Sequence, residues 1–228
     1  MPKIEVEPIR SMGSDPLLTP ENCVVALIDY QPEQVATVRS SPIEDVMLNA
    51  KAVVKIAHAY ELPIILSTVA VGMGVNTGTI DELMQEMPGQ REIDRTGVNS
   101  WEDKEFRNAV IATGRKKIVI CALWTEVCCA FPTLDMLREG YEVYPVIDAI
   151  GGISKVSHDS AITRMVQAGA QPITAISLGC ELMRNWARPN SDELRKVLRW
   201  YFPEQSGLRR SPPDDNRTSI SPSLMGDH

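Results

Sequence analysis

Short, near-continuous apolar runs alternate along the chain with longer stretches in which apolar positions recur every three or four residues. The runs fall at residues 23–28, 64–68, 117–121, 142–147 and 173–176. Without polar alternation, such runs fit strands covered on both faces. Their alternation with amphipathic stretches predicts parallel strands joined by crossover helices, an α/β sandwich.

Punctuation marks the helices. Ser41 with Glu44, and Thr79 with Glu82, have capping-box spacing, and Pro42 stands where a first turn tolerates it. Gly114 and Gly140 predict the ends of helices that begin near Trp101 and Cys128, and Gly169 ends another that runs from about Ser157 to Ala168. "SDELRKVLRWYF", from Ser191, predicts a helix whose Leu194, Leu198 and Trp200 or Tyr201 need an apolar partner, as at an oligomer interface. Residues 1–20 read as a polar lead-in, 21–205 as one domain, and 206–228, rich in Ser, Pro, Asp and Arg, as a flexible tail.

Composition narrows the function classes. The 228 residues, 43% of them hydrophobic, can bury a full core, and no apolar run approaches membrane-spanning length. The amino terminus lacks the apolar centre of a secretory signal, and five cysteines, an odd number, make no disulfide framework. A reducing cytoplasm is the expected compartment. A net charge of −7, with no cluster of Lys and Arg, points away from nucleic acid and anionic membranes and leaves a small molecule as the expected partner.

In an open parallel sheet, ligands bind outside the carboxyl ends of the strands. Asp29, Thr68, Arg95, Cys128 and Asp148 all fall just after predicted strands or the elements that follow them, so one rim offers a carboxylate, a guanidinium and a thiol. Cys128 stands in the first turn of a predicted helix, where free N–H groups and the helix dipole stabilise a thiolate. Its neighbour Cys129 must face elsewhere, because successive helical positions do not share a face. Two lone sulfurs make a poor zinc site, and Cys23, Cys121, Cys129 and Cys180 read as core. On spacing alone, Cys128 is a nucleophile or core filler, and Asp29 is a base or a helix cap. His58 and His228 lie in a helix and in the tail; His158 reads as surface or as a cap interaction. Asn99, Trp101, Trp124 and Phe131 could wall a small pocket, with core packing the alternative for the aromatics.

"ALIDYQ" (Ala26 to Gln31), "ALWTEVCCAFPTLDMLREGYEVYPVIDAIGG" (Ala122 to Gly152), "RMVQAGAQPIT" from Arg164 and "ELMRNW" from Glu181 together resemble the isochorismatase-like cysteine hydrolase superfamily, in its YcaC-type branch. The resemblance runs from about Leu17 to Trp186. It implies a three-layer α/β/α sandwich with a six-stranded parallel sheet and a triad of Asp29 as proton acceptor, Arg95 as basic member and Cys128 as nucleophile. Arg91 is a nearby competitor for the basic role. Many amidase members have Lys there, and Arg, always protonated, orients and stabilises charge without shuttling protons. The resemblance also implies a cis peptide at Leu123-Trp124, and an oxyanion hole in which the N–H of Trp124 or Thr125 joins that of Cys128. Nicotinamidase-type relatives carry a metal-binding Asp and several His soon after the first strand; no His lies between Asp29 and His58, so neither metal nor cofactor is expected. The implied activity is hydrolysis of a small amide-, imide- or ester-like substrate through a thioester, in a homo-oligomer, an octamer by resemblance. The other readings are a thiol redox or peroxide-handling protein that uses Cys128 with Cys129, and an oligomeric binding scaffold without turnover.

Overall fold

The computed structural model describes residues 15–208. Five strands, β1 (Cys23–Ile28), β2 (Ile64–Val69), β3 (Glu92–Arg95), β4 (Lys117–Ala122) and β5 (Glu142–Pro145), form one parallel sheet in the order β3-β2-β1-β4-β5. Every residue of β1 and β4 is buried, as the apolar runs 23–28 and 118–122 require, with Lys117 buried at the start of β4. After β1 the chain winds outward through β2 to β3, then returns across β1 to continue in β4 and β5. The winding direction changes between β1 and β4, which is where a doubly wound sheet opens its crevice.

Eight helices complete the described chain: α1 (Pro32–Val35), α2 (Ile43–Ala59), α3 (Asp81–Met84), α4 (Lys104–Ala112), α5 (Ala130–Arg138), α6 (Lys155–Gln167), α7 (Ala175–Met183) and α8 (Ser191–Leu208). α2 packs with α7 and α8 in one group; α5 packs with α6 and with the 3-10 turn Ser100–Glu102 that leads into α4. Gly114, Gly140 and Gly169 follow α4, α5 and α6 at φ of 69°, 80° and 108°, the left-handed conformation that lets a chain leave a helix.

Several expectations are corrected. The sheet has five strands where the resemblance implied six, and the last predicted run, 173–176, is reduced to a single bridge, Ile173 with Val146, because Thr174 caps α7 immediately afterwards. β3 was not among the predicted strands. Neither capping box forms. α2 and α3 start one residue later than that spacing requires, after Pro42 and Ile80, while Glu82 turns to Lys51 and the Thr79 N–H donates to Glu92 Oε1 at 2.7 Å. The apolar face of α8 is satisfied within the chain: Leu194, Val197 and Tyr201 are buried, and the Tyr201 hydroxyl donates to Asn49 Oδ1 of α2 at 2.8 Å. α8 also runs through Ser206 to Leu208, past the predicted start of the tail. The end of the lead-in is packed, with Leu18 fully buried and the Lys117 ammonium donating to the carbonyls of Asp15, Pro16 and Leu17 at 3.0–3.3 Å. Residues 1–14 and 209–228, with the rest of the predicted lead-in and tail, lie outside the described residues. Among the described residues no helix is long and apolar enough to cross a membrane.

Candidate active site

The crevice between β1 and β4 brings together three residues from distant parts of the chain. Asp29 leaves β1 at φ 61°, an uncommon conformation for a non-glycine residue, while its N–H donates to the Ser67 carbonyl at 2.9 Å. Arg95, at the end of β3, reaches across β2 to meet it. Its Nη1 and Nη2 donate to Asp29 Oδ1 and Oδ2, both at 2.7 Å, and both side chains are fully buried. Nη1 also donates to Ser67 Oγ at 3.1 Å and the Thr68 carbonyl at 2.9 Å, and Nη2 to the Val98 carbonyl at 3.3 Å. Such a two-point fork fixes the carboxylate in orientation as well as position.

Cys128 lies in a π-helical turn, Thr125–Cys129, between β4 and α5. The peptide before that turn, Leu123-Trp124, is cis. The thiol lies beside Asp29, whose charge bears on it, and near the backbone N–H of Trp124. Burial, the largest influence, and the Asp29 charge push the thiol well above its ordinary range; Arg95 and the Trp124 N–H pull the other way and do not overcome them. The resting group is therefore a thiol beside a carboxylate, contrary to the thiolate expected from a helix start alone. Burial also opposes the charge on Arg95, but the paired Asp29 outweighs it and leaves the guanidinium more basic than usual.

The other predicted residues separate into those beside this centre and those outside it. Thr125 is fully buried, and its N–H is committed to the Gly151 carbonyl at 2.9 Å, so it is not a free oxyanion donor. Trp124 donates its ring N–H to Thr37 Oγ1 at 2.8 Å. Asn99 and Phe131, with Val98, Asp135, Arg138 and Arg164, line an open pocket of about 630 Å³. It adjoins the centre, because Phe131 is one helical turn beyond Cys128 and the Val98 carbonyl is held by Arg95. Trp101 is core: it is 2% exposed and meets Tyr141 edge-on at 5.2 Å between ring centres. Arg91 pairs with Glu105 on the surface, away from Asp29. Thr68 donates to Asp94 at 3.1 Å, and half-buried Asp148 accepts the Ala175 N–H at the start of α7 at 2.9 Å. Cys129 is fully buried, its sulfur 3.9 Å from that of Met165, and burial pushes its thiol up to about 12. Cys180, expected in the core, is exposed.

Three contributors were missed by the reading of the sequence. Ser67 supports Arg95. Gln31 pins the loop after β2, donating to the Val69 and Thr77 carbonyls at 3.0 and 2.7 Å and accepting the Val69 N–H at 3.0 Å. His158, read as surface or a cap interaction, is buried with Nδ1 2.8 Å from Thr125 Oγ1. Gln31 stands one side-chain alternation beyond Asp29, the one signal that pointed to it. Among the described residues no group of three or more His, Cys, Asp or Glu side chains is placed to hold a metal ion.

Comparison with known proteins shows the family. The model of the isochorismatase domain matches residues 23–177. Probable hydrolase YcaC of Escherichia coli (strain K12) is 34% identical over 195 residues, 85% of this chain and 93% of that protein. Isochorismatase domain-containing protein 2A of Mus musculus is 26% identical over 84% of this chain and 89% of its own length. Among solved structures, YcaC from Pseudomonas aeruginosa with hexane-2,5-diol and covalent acrylamide is 36% identical, covers 86% of this chain and 96% of its own, and superposes with a TM-score of 0.79. The Escherichia coli YcaC structure, described as an octameric hydrolase of unknown specificity, is 35% identical over 86% of this chain and 95% of its own, also with a TM-score of 0.79. With a matching domain model over most of its length and a relative 34% identical over 85% of it, the chain belongs to the isochorismatase-domain family of hydrolases, in its YcaC-type branch.

Proposed function

We propose that the protein is a cysteine hydrolase that cleaves a small amide-, imide- or ester-like substrate through a thioester on Cys128. The observation that carries this reading is a thiol set beside a fully buried carboxylate that is itself held by two hydrogen bonds from one guanidinium. As the sulfur attacks the substrate carbonyl carbon, Asp29 takes the thiol proton, then passes it to the departing nitrogen or oxygen as the carbon–heteroatom bond breaks. Water then attacks the thioester and gives a proton to Asp29, the carbon–sulfur bond breaks, and that proton returns to the sulfur. Arg95 remains charged throughout, fixing Asp29 and favouring negative charge on the sulfur. The Trp124 N–H, which lies near the sulfur, can turn to the substrate oxygen with that of Cys128, each such donor being worth about 3 kcal/mol to the transition state. Cys129, packed on Met165, weighs against the thiol-pair redox reading.

The test is a screen of small amides, imides and hydroxamates alongside iodoacetamide labelling read by peptide mass spectrometry. We expect turnover and selective labelling at Cys128, with both abolished in Cys128→Ala; turnover retained by that variant would sink the proposal. We further propose a homo-oligomer, since the Escherichia coli relative is described as octameric.

A further inference from the structure

The Thr125 side chain is fully buried at the start of the turn that presents Cys128, and its hydroxyl meets a histidine from α6, an element with no part in the triad. We infer that His158 is a positioning residue for the nucleophile: through its bond to Thr125 it locks the π-helical turn so that the Cys128 sulfur faces Asp29. The inference rests on the hydrolase reading above and extends it to the residues that hold the turn.

The turn is tied down on both sides of Thr125. Its N–H donates to the Gly151 carbonyl at 2.9 Å, and Leu123 bridges Gly151 in parallel, so the backbone is anchored to the segment after β5. A backbone anchor alone leaves the turn free to rotate about it. The second anchor is the 2.8 Å contact between Thr125 Oγ1 and His158 Nδ1, whichever atom carries the proton. His158 is itself held, because its N–H donates to the Ser154 carbonyl at 3.0 Å while the Ser154 hydroxyl accepts the Ser157 N–H at 3.1 Å and caps α6. Glu126 closes the arrangement by accepting the Ile153 N–H at 3.0 Å. There is no slack between these elements: a Cβ on Gly152 would lie 2.5 Å from Glu126 Oε2 and 3.1 Å from His158 Cβ.

The charge state suits a fixed prop. Burial, the largest influence, and Lys155 hold His158 below the ordinary imidazole range, against Asp159 on its own helix and Glu126 on the turn. The ring is neutral at pH 7 and offers one donor and one acceptor, enough for a hydroxyl.

The experiment uses iodoacetamide as the probe and follows alkylation of Cys128 by mass spectrometry at pH 7.5, with thermal unfolding measured in parallel. Because burial beside Asp29 suppresses the thiolate, a loosened turn lets the thiol titrate lower. His158→Ala should alkylate about tenfold faster, the gain that a one-unit fall in thiol pKa gives. His158→Asn, whose amide can stand where Nδ1 stood, should stay within about twofold of the parent, while His158→Gln, which reaches past that point, should behave like His158→Ala. Thr125→Val should reproduce the His158→Ala rate, and the two together should add nothing, as for members of one interaction. An unchanged rate in His158→Ala, or equal rates in the Asn and Ala variants, would overturn the inference. Failure of the hydrolase reading looks different, as turnover that survives Cys128→Ala whatever residue stands at 158.

Discussion

At the residue scale, Asp29 has two opposed effects on Cys128. Its charge lies against the sulfur and raises the thiol, yet it is also the group placed to remove the proton. Asp29→Asn separates the two. Losing the negative charge and leaving Arg95 unpaired both favour thiolate, so the midpoint of the pH dependence of iodoacetamide alkylation at Cys128 should fall by about 1–3 units. Hydrolysis should fall by about a hundredfold or more, because the acceptor is gone. A variant with a more reactive sulfur and less turnover would mark Asp29 as base; a midpoint that stays or rises would mean that Asp29 does not face the sulfur. Asp29 and Cys128 were legible because strand ends share a rim, and Arg95 through the resemblance, since β3 itself was not predicted. His158 was not: flanked by Ser157, Asp159 and Ser160, it sits in a locally polar stretch, and only the packing of α6 on the Cys128 turn buries it.

At the element scale, β1 and β4 were readable because burial on both faces leaves Lys117, at the very start of β4, as their one polar position. β3 was not, since Glu92 and Asp94 interrupt it and only four residues pair. Both acids have structural work: Glu92 accepts the Thr79 N–H, and Asp94 accepts from Val71 and Gly72. The Thr79–Glu82 capping box failed for a related reason, since Glu92 took the Thr79 N–H and Lys51 took Glu82. Helix packing offers a sharper test. Gly179 of α7 lies where α2 and α8 converge, and a Cβ there would stand 2.6 Å from Leu194 Cδ1 and 3.2 Å from Ile56 Cδ1. Its φ is not in the left-handed region, so Gly179→Ala gains helix propensity of about 1 kcal/mol. Overpacking costs about 1–3 kcal/mol and acts against that gain. Leu194 is fully buried and cannot swing out to solvent, so the balance should be destabilising. Urea unfolding should show a lower midpoint, and a midpoint equal to or above the parent's would mean that α8 yields.

At the scale of the whole molecule, the exposed apolar residues are unevenly placed. Met73 and Val75 follow β2, Val98 follows β3, and Ile153 and Val156 follow β5, Val156 in the first turn of α6; these five, half of the exposed large apolar residues among those described, are 49–79% exposed and lie at the carboxyl edge, where the crevice opens. α8, the expected interface from sequence, already spends its buried face on α2 and α7. Apolar surface left in water costs about 25 cal/mol per Å², and patches of it mark association sites. The interface of the proposed homo-oligomer is therefore better sought at this edge than at α8. Sedimentation velocity should give a species of several times the 25.2 kDa chain mass, eight times if it matches the Escherichia coli relative. Charges introduced together by Val98→Asp and Val156→Asp should shift the distribution toward the single chain, because each must be desolvated in a closed interface. The same change at Phe202, exposed on α8, should leave it unaltered. A single-chain mass at every concentration would exclude the assembly. Dissociation by Phe202→Asp but not by the edge pair would move the interface back to α8, leaving the apolar rim to face substrate alone.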